Sequence, residues 1–78
     1  MDEQLIVTVY DANGPVDVNV PTAVHTDQSS WGGQFMQSVS VAFGKRYLIQ
    51  AMDGRRGEIV VGSPAGSGRS FQGVGAFG

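Results

Sequence analysis

Apolar and polar residues alternate along most of the first sixty positions of this chain, with the period of strands. Leu5, Val7 and Val9 fall on one face of a β-branched and aromatic run, 5–10. Asp11, Ala12, Asn13, Gly14 and Pro15 follow as turn chemistry: Asn and Gly tolerate positive φ, and Pro cannot donate to a ladder. Val16, Val18 and Val20 then alternate with Asp17 and Asn19, placing the three valines inward. The two runs read as a hairpin with a five-residue loop. Pro21 is expected to stop the second strand or to place it at an edge.

Residues 22–33 show no clear period and read as a long loop, of the kind that often carries function in a small chain. The third predicted strand is 35–43. Phe35, Gln37, Val39, Val41 and Phe43 share one face; Met36, Ser38, Ser40 and Ala42 share the other. Gly44, Lys45 and Arg46 turn the chain into a fourth strand, 47–52. Asp53-Gly54 is a strong hairpin signal, and 58–61 is the fifth strand. No 3.6-residue period persists for ten residues, so no amphipathic helix is expected. The pattern predicts an all-β fold: a small five-stranded antiparallel barrel or sandwich.

Six of the twelve glycines fall within 62–78, where the large apolar residues are Phe71, Val74 and Phe77, spaced by three. So much backbone freedom and so little apolar bulk predict an extended arm beyond a β-rich domain of residues 1–61. The arm is expected to be mobile in a lone copy and ordered when its three anchors are buried on a neighbour.

Composition narrows the function. A chain of 78 residues makes one domain with a thin core, burying about 60% of its unfolded surface. It has no cysteine and one histidine, which excludes disulfides and a zinc site of ordinary ligands. Association is the remaining source of added stability, and a homo-oligomer is expected. The net charge of −2 argues against nucleic acid as a partner. The acidic start, Met1-Asp2-Glu3, lacks the basic opening of a signal peptide, and no apolar run approaches a membrane span. The chain is therefore expected to be soluble. Charge is also uneven: residues 1–44 carry −5, and residues 45–78 carry +3. Such asymmetry can steer like subunits together.

Candidate chemistry is sparse. The stretch 63–70 has Ser63 and Arg69 where a phosphate-cradling loop needs Gly and Lys, and too few residues follow to form its helix. His25 and Asp27 share a loop with several serines but lack the rigid nucleophile turn of a hydrolytic triad. Seven scattered acids single out no pair for glycoside chemistry. Trp31, followed by Gly32 and Gly33, reads first as the anchor of its loop, second as a side chain buried at an interface and third as a flat face for a sugar ring. Arg55 and Arg56, in a tight turn, read first as a solvated turn tip; they could also grip a phosphate or carboxylate, or meet the acids of a neighbouring copy, which fits the charge asymmetry.

These residues support a non-enzymatic structural or interaction module, without cofactor or metal, that assembles with itself or docks on a larger protein scaffold. An accessory (capsid decoration or cement) protein on a virus particle is one concrete form, on composition alone. The expected interface residues are Trp31, Arg55, Arg56, Phe71, Val74 and Phe77. The alternative is a small carbohydrate- or ligand-binding module centred on Trp31.

Overall fold

The computed structural model describes all 78 residues. It contains six strands: β1 (Asp2–Asp11), β2 (Gly14–Thr26), β3 (Trp31–Phe35), β4 (Arg46–Ala51), β5 (Arg56–Ala65) and β6 (Gly68–Val74). All pairings are antiparallel, and the strands close in the order β1, β2, β3, β6, β5, β4, with β4 returning to β1. Closure gives an all-β barrel, in which most strand edges are paired. No helix is long and apolar enough to cross a membrane.

Strand alternation fills the interior. Val7 and Val9 of β1, Val20 and Val24 of β2, Phe35 of β3, Ile49 and Ala51 of β4, Ile59 and Val61 of β5 and Phe71 of β6 form one buried cluster with Trp31, Val41 and Tyr47. Each large apolar side chain so buried stabilises the fold by about 1.5–3 kcal/mol. Thr22 is buried too, and its hydroxyl donates to Val20 O at 3.0 Å, which removes the cost of an unpaired polar group.

The fold differs from the expected one in four places. First, the barrel has six strands rather than five, because residues 62–74 are not a free arm. β5 runs on to Ala65, a two-residue turn at Gly66 and Ser67 reverses the chain, and β6 returns between β3 and β5. Gly66 takes φ 57°, the left-handed geometry a tight hairpin needs. The partners on both sides of β6 supply the ladder bonds that offset its glycine-rich entropy.

Second, residues 22–26 and 31–33 are strand, and only 27–30 form the loop. β2 passes straight through Pro21, whose carbonyl accepts from Met36 N–H at 2.8 Å just past the end of β3. No ladder there demands the missing N–H. Third, Phe35 ends β3, and residues 36–45 fold across one mouth of the barrel instead of forming a strand. Val41 is buried and Val39 packs on the core, while Gln37 and Phe43 are exposed. Ser40 N–H donates to Asp17 Oδ2 at 2.7 Å and Ala42 N–H to the Tyr47 hydroxyl at 3.0 Å, so side chains replace the ladder. Fourth, the β1–β2 turn is only Ala12 and Asn13, and Val18 faces out, 60% exposed. The register slips between Val7 and Val9, and Asn19 takes φ 55°. The extra residue of such a bulge reverses the alternation.

Candidate interaction surface

Four strands place one row of apolar side chains on the outside of the barrel. Ile6 stands opposite Pro21 across β1 and β2. Met52 N–H donates to Ile6 O at 3.0 Å on one side, and Met36 N–H to Pro21 O at 2.8 Å on the other. Met52, Ile6, Pro21 and Met36 therefore lie side by side across about 14 Å of surface, at about 4.8 Å per strand. Ile6 is 38% exposed, Met36 44% and Met52 80%; Pro21 is exposed as well. The next outward row on one side is Gln4, Ala23, Gln34 and Ser70, and Thr8 opposite Gln50 lies on the other. The first of these rows carries no charge, and the second runs on from Gln50 to the exposed Arg56 of β5. Tyr10, Leu48 and Val74 also face out, but they are half-buried in a row with Glu58.

The amide row opens into a shallow groove of about 570 Å³ bounded by Asp2, Gln4, Ala23, His25 and Gln34. At its end His25 bridges two acids, Nδ1 meeting Asp2 and Nε2 meeting Asp27 Oδ2 at 3.2 Å. The bond to Asp2, then that to Asp27, raises the imidazole pKa above its ordinary 6.5, and the bond from His25 holds the Asp2 carboxyl below its usual range. Both ring nitrogens are engaged, so the bridge fastens β1 to the end of β2 and leaves no free nitrogen to act as a base.

The mouth opposite residues 36–45 is closed by Trp31, 6% exposed. A Cβ at Gly73 would lie 2.1 Å from the indole, and one at Gly57 2.6 Å from it, so the ring rests on bare backbone of β5 and β6. Its Nε1–H donates to Gly75 O at 2.9 Å. Phe77 stacks on it, with centroids 4.6 Å apart and planes at 27°. The Arg55 guanidinium lies 5.3 Å from the Phe77 centroid. Two N–H bonds at 2.9 Å tie it to Glu3, and Nε–H donates to Asp53 at 2.9 Å. These bonds lower the pKa of both acids and raise that of Arg55.

The residues expected at an interface thus occupy different places. Phe71 is 5% exposed inside its own barrel. Val74 faces outward opposite Glu58, since residues three apart on a strand point to opposite sides. Phe77 folds back on Trp31. Arg55 is paired within the chain, and Arg56 is exposed, its carbonyl accepting from Gly78 N–H at 3.1 Å. The outer row escaped the sequence reading because Ile6, Pro21, Met36 and Met52 are far apart in the chain, and only the strand register aligns them. The chain matches no protein-family model, no curated protein and no solved structure.

Proposed function

We propose that this protein is a non-enzymatic interaction module that self-assembles, with the row of Met52, Ile6, Pro21 and Met36 covered by a second copy. One observation carries the reading: these four exposed apolar side chains stand in register, and the polar rows beside them hold one charge, Arg56 at the end of the Thr8 and Gln50 row. An apolar centre with a polar surround is the anatomy of a protein interface. A second copy fits it in particular. Amide side chains both donate and accept, so Gln4, Gln34 and Gln50 can meet their own symmetry mates across a two-fold axis. A standard interface takes about 800 Å² from each partner, roughly a sixth of the 4584 Å² that one copy exposes. Decoration of a larger protein shell, such as a virus particle, is a further form of the same reading that the composition suggests. The alternative, a sugar module centred on Trp31, has less support, because the indole is buried and stacked on Phe77.

Amide NMR shifts followed on dilution test the proposal. The expected result is concentration-dependent movement at Ile6, Met36, Met52 and the flanking glutamines, with Tyr10 and Leu48 unmoved. Movement confined to other faces, or none anywhere, contradicts it.

A further inference from the structure

The Trp31 mouth is built from two sources. The barrel supplies the walls: the Trp31 indole on β3, seated over Gly57 and Gly73, and the Arg55 guanidinium, fixed by Glu3 of β1 and by Asp53. The occupant, Phe77, arrives from the segment that follows β6. The bonds to Glu3 and Asp53 involve no atom of that segment, so the guanidinium is in position whether or not Phe77 is present. The segment itself is lightly held. It turns at Gly75, φ 73°, and is tied by Trp31 Nε1–H to Gly75 O and by Gly78 N–H to Arg56 O. An aromatic ring bounded by an indole and a cation is matched to both, since its flat apolar surface stacks on the indole and its electron-rich face attracts the cation.

We propose that this mouth is a receptor for an aromatic side chain on a glycine-flanked segment, and that residues 75–78 of one copy seat in the mouth of a second. The chain's own Phe77 shows which chemistry the mouth accepts. Met52, the end of the outer apolar row, opens the same turn that carries Arg55, so copies meeting on that row bring their mouths close. Four residues reach about 13 Å when extended, enough to cross between abutting barrels. The exchange rests on the proposed self-association, whereas the receptor does not.

Trp31 is the single tryptophan, so its fluorescence reports the mouth directly. A synthetic Val-Gly-Ala-Phe-Gly peptide, the sequence of 74–78, is titrated into the Phe77→Ala variant. The expected response is saturable, at least tenfold weaker in the wild type, whose mouth is filled, and lost when the peptide carries Ala in place of Phe. No saturable response, an equal response to the Ala peptide, or a response to a hexose in place of the peptide overturns the receptor. A second measurement does not depend on that variant folding. The chain has no cysteine, so Arg56→Cys and Gly78→Cys chains can be mixed and oxidised. Exchange predicts covalent pairs of unlike chains in excess over like pairs. Their absence overturns exchange, and sedimentation of the unmodified protein reads self-association separately.

Discussion

Gly73 and His25 bear most directly on single-residue tests. At Gly73 any Cβ meets the indole at 2.1 Å, and the ring is hemmed in by Gly57 and Phe77. Gly73→Ala should therefore destabilise the barrel by about 1–3 kcal/mol, the usual cost of overpacking, read as a lower urea midpoint with red-shifted Trp31 emission. An unchanged midpoint would mean that the indole moves freely. His25 gives a pH signature. Its folded-state pKa lies above 6.5, so the stability contributed by the bridge to Asp2 and Asp27 is complete below the unfolded value and fades as pH rises through the folded one. Asp2, Glu3 and Asp53 are shifted downward, so their contributions are present above the ordinary carboxylate range and fade as pH falls through the lowered values. Wild type should unfold at lower urea near about pH 9 than near about pH 6, spanning the imidazole range. His25→Gln should flatten that difference. A wild-type midpoint that rises with pH over this interval would reverse the sign and refute the bridge.

At the scale of elements, β6 carries the most weight. It separates β3 from β5, and Phe71 touches both Trp31 and Phe35, with centroids at 6.2 and 4.9 Å. Phe71→Ala should cost about 3–5 kcal/mol, much of the about 5–15 kcal/mol available to a domain. Amide exchange should place 70–73 with the slowest class, alongside β1, and 75–78 with a faster one. Rapid exchange throughout 68–74 would restore the free arm. The same strand shows where the sequence is legible. The alternating runs of β1 and β4 and the Asp53-Gly54 turn could be read directly, because each is a local pattern with one inward face. β6 could not, since its glycines suit both a free arm and a strand pinned between two neighbours. Gly66-Ser67, a two-residue hairpin signal, was the available clue. The 36–45 segment misled in the opposite sense: its alternation is that of a strand, yet it lies across a mouth where no partner strand is present. Trp31 was legible as an anchor, but the Phe77 and Arg55 around it come from 46 and 24 residues further along the chain.

For the molecule as a whole, a small barrel without cysteine exposes four apolar side chains in one row. One ion pair within the chain, Arg55 with Glu3, joins its two oppositely charged halves; Arg55 with Asp53 and Arg46 with Glu58 pair inside the second half. Association on the apolar row should therefore survive high salt, whereas assembly driven by the charge asymmetry would weaken as salt screens it; light scattering across a salt series distinguishes the two. The most direct measurement is sedimentation equilibrium of the wild type beside the Ile6→Lys, Met52→Lys double variant. The account predicts a wild-type mass above 8.2 kDa at micromolar concentration, and a variant that still unfolds cooperatively but sediments as a single chain. A wild type that remains at 8.2 kDa, or a variant that assembles equally well, would contradict it.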